Sequence, residues 1–189
     1  MPSAALTSWQ QGRAARLLRI DQHCREVDTL VPPDPEFLDE TLRGYVLHLS
    51  AHFQGFCRDL YTESSQFVIS SIPAGLQQAI QTQCNSQLAL EKSNPSYDNI
   101  RKDFFRFQIE LNLRAVHPNG DRDLTDLNHL NNWRNRAAHQ ATTSLPPGTP
   151  LALNLTLIQK WAAACSSLAN SMDSVVRMKL FDLVGTYPW

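Results

Sequence analysis

Residues 131–140 read NNWRNRAAHQ, and Arg134, Asn135 and His139 fall within six consecutive positions of that stretch. An imidazole exchanges protons near neutral pH, a guanidinium presents a planar fork of donors to phosphate oxygens, and a carboxamide can orient either one. Together they are groups suited to a phosphodiester. Asn135 and His139 are four residues apart and so neighbours on a helix surface. Arg134 and His139 are five apart, about 140° round a regular helix, so one helix converges them poorly. Two copies packed about a two-fold axis would bring both kinds of group to one cleft.

Arg134 also intrudes on an apolar face formed by Leu127, Leu130, Trp133 and Ala137. A guanidinium buried without a partner is costly, so it must meet an acid, a cleft or a second subunit. The bland alternative pairs Arg134 with Asp123, Asp126 or Asp59 and leaves Asn135 and His139 to cap the helix end. Trp133 can stack on a base, although its place on the apolar face favours packing. His48 and His52 have the i, i+4 spacing of metal ligands, but the sequence has no H-E-x-x-H and offers no evident third ligand. No metal or other cofactor is expected. Arg101, Lys102 and Arg106 alternate with Phe104, Phe105 and Phe107, a pattern that fits either a nucleic-acid surface or, more commonly, core aromatics.

The elements that must position these groups are helices. Leu17, Ile20, Cys24, Val27 and Val31 repeat at helical spacing until Pro32-Pro33 stops them. Leu42, Val46, Leu49, Phe53, Phe56 and Leu60 predict a long helix from Pro35 to about Ile72. A third helix is expected over Ala74 to about Leu90. Asn94-Pro95 opens a fourth, through Phe104, Phe105 and Ile109 to about Leu113. After a turn at Pro118-Asn119-Gly120, the motif helix should begin near Asp121 to Thr125. Thr142 to Pro150 reads as a loop, and Leu157, Trp161, Ala164, Leu168, Met172, Val175 and Leu183 mark a last long helix. The pattern is an all-α bundle of about five to six helices, with the motif on a short helix before the last long one. Residues 1–189 read as one domain, in which 1–33 is an N-terminal helix that could stand as an extension.

With 42% hydrophobic and 19% charged residues among 189, the chain can build one core, and a net charge of -1 argues against nonspecific coating of DNA. Any nucleic-acid contact must come from a local patch. Cys24, Cys57, Cys84 and Cys165 are scattered, as free thiols in a reducing compartment would be. No stretch has signal-peptide or membrane-spanning character, so the reading is cytoplasmic, with no membrane contact.

R-N-R-A-A-H at 134–139, an arginine with asparagine directly after it, four spacers and a histidine, resembles the signature of the HEPN superfamily of all-helical ribonucleases and nucleotide-binding domains. YVLHLSAHFQGFCRDLY at 45–61 is similar to the long second helix of prokaryotic members, especially the RiboL-PSP-HEPN and defence-associated groups. The resemblance runs from about Glu36 to Leu183. It implies a HEPN-like bundle acting as a homodimer and metal-independent cleavage of RNA by its own 2'-OH, leaving a 2',3'-cyclic phosphate and a 5'-OH. DNA lacks that nucleophile and is excluded as substrate. Arg134, Asn135 and His139 would be catalytic; Arg58 and Arg136 are the candidates to hold substrate, although Arg58-Asp59, just after the apolar stripe, reads first as surface or interface ion pairs. The biology implied is a toxin or antiviral-defence effector, restrained by an antitoxin or regulatory protein.

Two positions depart from the pattern. Gln54 stands where many relatives carry a glutamate, which leaves Gln54 and Asp59 as the polar candidates of the second helix and keeps open a silent module that binds RNA, nucleotide or a protein partner. Ala141 stands where certain toxin members carry a tyrosine modified by a nucleotidyltransferase antitoxin, so that antitoxin is not expected. An unrelated helical adaptor is the remaining alternative.

Overall fold

The computed structural model describes residues 1–139 and 144–189, and the regular elements among them are all helical. The chain begins with α1, Ala4–Ser8, passes through a π-helical turn, Trp9–Arg13, and continues as α2, Ala14–Asp28. The N-terminal helix expected over 1–33 is thus interrupted by a π-helical turn and ends at Asp28, and its first piece, α1, has only 5 residues. That piece forms because the long helix over 35–70 supplies what a short isolated helix lacks: the Glu63 carboxylate accepts from the amides of Ala4 (3.0 Å) and Ala5 (3.1 Å), while Ser3 caps Leu6 (2.9 Å). Trp9 packs edge-on against Phe53, with ring centroids 5.8 Å apart. Arg13 donates to the His52 carbonyl (2.9 Å) and pairs with Asp59. Its guanidinium lies across Gly55, where an added Cβ would stand only 2.9 Å from Cζ.

The spine is α3, Pro35–Ser70; Pro35 stands in its first turn, as expected, and Asp34 caps that turn. Leu42, Val46, Leu49, Phe53, Phe56 and Leu60 are all buried along it. α4, Ala74–Asn85, stops short of the expected Leu90 because Ser86 turns extended and Gln87 takes a left-handed φ of 55°. α5, Ala89–Lys92, starts afresh, its amides at Ala89 and Leu90 held by the buried Asp103 carboxylate (3.0 and 2.8 Å).

The helix expected from Asn94 to Leu113 is in fact α6, Tyr97–Phe104, followed by a 3-10 turn, Phe105–Phe107. Gln108, at φ 60°, ends it. A continuous helix would point Ile109 about 140° away from Phe104, whereas both are buried. The break lets Phe104, Phe107, Ile109 and Leu111 all reach the core, and the Tyr97 hydroxyl pins it by donating to the Leu111 carbonyl (2.7 Å).

α7, Leu113–Val116, leads through the expected turn into α8, Gly120–His139, which carries the motif and is the shortest of the three main helices at 20 residues. α9, Leu155–Val184, is capped by Asn154 and closed by Gly185 at φ 82°. Thr142 and Thr143 of the expected loop lie outside the described residues; Ser144 to Pro150 is non-helical, as expected. α3, α8 and α9 pack on one another around a shared core that also takes in Trp9, Leu17 and Cys24. The four cysteines are buried and unbridged. No helix among the described residues is long and apolar enough to cross a membrane.

The entry to α8 is fixed by a buried polar cluster. His117 Nε2 meets Asp123 Oδ2 (2.7 Å) and Ser167 Oγ (3.0 Å), and its Nδ1 meets Ser171 Oγ (2.9 Å), so one imidazole ties α8 to α9. Burial pushes the Asp123 carboxyl up, but hydrogen bonds from His117, Ser167 and Arg122 outweigh it and hold the group below its ordinary value of 3.8. A depressed carboxylate contributes stability that is present above 3.8 and lost as pH falls through the lower folded value. Urea denaturation should therefore show Asp123→Asn destabilised by about 2 kcal/mol at pH 7, with a flatter acid limb than the parent; identical stability and pH dependence would refute this role.

Candidate functional site

The motif lies in the last two turns of α8, and α8 stays helical through His139. Asn135 and His139 are exposed; Arg134 and Arg136 are half-buried. Asn135, Arg136 and His139 share a pocket of about 180 Å³ with Asn132, Ser144, Leu145 and Pro146. Arg134 lies beside it, and its Nη1 donates to Asn135 Oδ1 at 3.4 Å, the long limit for such a bond. The structure thus gathers Asn135, Arg136 and His139 on one surface and joins Arg134 to them through Asn135.

None of the three acids offered by the bland alternative pairs with Arg134. Asp123 is taken by His117 (2.7 Å) and Arg122 (3.1 Å), Asp126 by Lys160 (2.9 Å), and Asp59 by Arg13. Among the described residues Arg134 has no carboxylate partner. Arg136 lies over the Trp133 ring at 5.0 Å, which orients its guanidinium beside the pocket. Trp133 itself is buried and donates to the Pro150 carbonyl (2.9 Å), so it packs and anchors a loop.

Asn131 and Asn132, beside the motif, went unremarked in the sequence, and with Asn135 they act as clasps. Asn135 Oδ1 accepts from Asn94 Nδ2 (2.7 Å), one turn from Asn131, whose Nδ2 reaches the Pro95 carbonyl at 3.4 Å. Asn131 and Asn135 thus hold the segment that leads into α6. Asn132 donates to Thr149 (2.9 Å), on the loop before α9. The usable signal was NNWRN itself: amides at i, i+1 and i+4 crowd one helix with groups that seek backbone and side-chain partners.

Gln54, Arg58 and Asp59, on α3, do not line the motif pocket. Gln54 Nε2 donates to the carbonyls of Leu90 (2.6 Å) and Ser93 (2.9 Å), and Arg58 to those of Leu90 (2.9 Å) and Glu91 (3.1 Å). These two side chains, one turn apart, secure the segment that ends at Asn94 and so reach the motif indirectly. His48 and His52 stack with centroids 6.3 Å apart, and no group of three metal-ligating side chains occurs among the described residues. Burial, followed by the neighbouring Arg13 and His48, holds His52 below its ordinary value. Ala141 lies outside the described residues.

The RiboL-PSP-HEPN family model matches residues 64–177, more than half of the chain. Arg134 to His139 fall inside that span, and the stretch 45–61 falls before it. No curated protein and no solved structure matches the chain.

The contacts of Gln54 explain why an amide suits this position. A carboxylate has no proton to give either carbonyl and would face two oxygens. Gln54→Glu should lower stability by about 1–3 kcal/mol at pH 7, read by urea denaturation; a variant as stable as the parent would show that the amide donors are dispensable.

Proposed function

We propose that this chain, which belongs to the RiboL-PSP-HEPN family, is a metal-independent endoribonuclease. The observation that carries the reading is a half-buried arginine without a carboxylate partner among the described residues, beside an exposed amide and imidazole on one helix end. In the reaction, the ribose 2'-OH attacks the adjacent phosphorus as its proton is removed. The P–O5' bond breaks, leaving a 2',3'-cyclic phosphate, and the departing oxygen takes a proton to become a 5'-OH. His139 moves the proton. Arg134 and Arg136 stabilise charge on the non-bridging oxygens, and Asn135 orients the imidazole or a phosphate oxygen.

Arg134 and His139 diverge by about 140° on one helix, which supports a homodimer in which two copies of α8 line a common cleft. Arg58 belongs to this reading as a residue that steadies substrate or the segment beside it. The biological role is a cytoplasmic toxin or antiviral-defence effector, silenced by an antitoxin or regulatory protein that covers the helix end. A second reading, a silent module that binds RNA, nucleotide or a protein partner, draws on Gln54: α3 presents an amide engaged with backbone where an acid would otherwise be available.

Labelled RNA incubated with the protein in excess EDTA separates the two. The parent should cut it to cyclic-phosphate and 5'-OH ends and leave DNA of the same sequence whole, while His139→Ala and Arg134→Ala should lose about 100-fold or more of the rate. RNA bound but left intact by all three proteins would favour the silent module. RNA neither cut nor bound would favour a helical adaptor.

A further inference from the structure

The basic and aromatic run from Arg101 to Phe107 divides in the folded chain. Phe104 and Phe107 are core, and Arg106 is spent on the carbonyls of Cys84 (3.2 Å), Ser86 (2.6 Å) and Gln87 (3.1 Å). Phe105 remains 58% exposed, an unusual fate for a phenylalanine. Arg101 and Lys102 are exposed beside it. The three line a pocket of about 340 Å³ with Asp98, Ile109 and Glu110. Asp98, Arg101, Lys102 and Phe105 follow the i, i+3, i+4, i+7 spacing of a single helical face, and the Arg101 guanidinium is steadied over the Tyr97 ring at 5.5 Å.

A flat apolar ring, two cations and two carboxylates around a space of this size match the parts of one nucleotide. An aromatic face stacks on a base, cations take its phosphate, and carboxylates accept from an exocyclic amine. The pocket is also joined to the motif. Asn94 and Pro95, held by Asn135 and Asn131, lead directly into α6, whose N-cap is Ser96, its hydroxyl accepting from the Asn99 amide, and Lys102 stands about 9 Å of helix axis beyond that cap.

We infer that this pocket is a subsite for one nucleotide of a single-stranded RNA whose scissile phosphate lies at the motif. The base stacks on Phe105, Arg101 and Lys102 hold the phosphate, and Asp98 or Glu110 accepts from the base edge. Adenine, cytosine and guanine each carry an exocyclic amine that can donate to these carboxylates. Uracil has none, and its single N3–H lies between two carbonyl oxygens that a carboxylate repels, so the subsite selects against it. The inference rests on RNA being the ligand of the motif, and it adds a specificity element that the motif alone lacks.

The test uses the whole chain carrying His139→Ala, so that RNA is not consumed, and fluorescently labelled oligoadenylate and oligouridylate of eight nucleotides. Oligoadenylate should bind the more tightly. Adding Phe105→Ala should weaken it roughly fivefold or more, Arg101→Gln with Lys102→Gln should flatten the salt dependence, and Asp98→Asn with Glu110→Gln should narrow the preference over oligouridylate. These side chains are exposed, so thermal melting should be unchanged. With His139 intact, the Phe105→Ala chain should show a raised KM on the octamer. Parental binding and KM in the Phe105→Ala and Arg101→Gln, Lys102→Gln chains, with RNA still cut, would overturn the subsite and leave the nuclease standing. Weakened binding in those variants with no cutting by the unaltered chain would overturn the nuclease and leave the subsite. No binding of either octamer would overturn both.

Discussion

The carboxylates that could neutralise Arg134 are engaged elsewhere, and the rest of the site follows from that. Asp123 is buried against His117 and Arg122, Asp126 is held by Lys160 from α9, and Asp59 is held by Arg13 from the π-helical turn. The pairings with His117, Lys160 and Arg13 join separate parts of the molecule, so the acids serve the packing of α8, α3 and the N-terminal helices. An uncompensated guanidinium is tolerated because it is only half-buried and keeps contact with water. That leaves a cation oriented by Asn135 and available to an anion, which is a property of a binding site more than of a scaffold.

Amides do the positioning. Asn131 and Asn135 fasten the segment before α6, Asn132 and Trp133 fasten the loop before α9, and Gln54 and Arg58 brace the first of these segments from α3. The motif helix is therefore clasped on two sides by loops that would otherwise be free to move. This frame also accounts for the departure at Gln54. Its position contacts backbone carbonyls, and only a donor can satisfy them.

The helical periodicity of α3 and α9 was legible because each buries a long apolar stripe, and Pro35 marked the start of α3; the caps at Asp34, Asn154 and Gly185 emerged only in the folded chain. Breaks imposed by the core were not legible. Nothing local announces that Gln87 and Gln108 adopt positive φ, since the reason lies in Asp103 catching the amides of α5 and in Ile109 and Leu111 needing to face inward. Arg134, Asn135 and His139 could be picked out by type and spacing alone. Their surroundings could not, because Asn94, Thr149 and Gln54 arrive from distant sequence, and His117 draws its partners from two helices.

The central claim, that Arg134 is a cation free to take an RNA phosphate, is tested most directly by the salt dependence of binding. Affinity for a single-stranded RNA made uncleavable by 2'-O-methyl riboses can be measured across a range of salt for the parent and for Arg134→Ala. Loss of one phosphate contact should reduce the slope of log affinity against log salt by about 0.7 and weaken binding at every concentration. Superimposable lines for the two proteins would contradict the account.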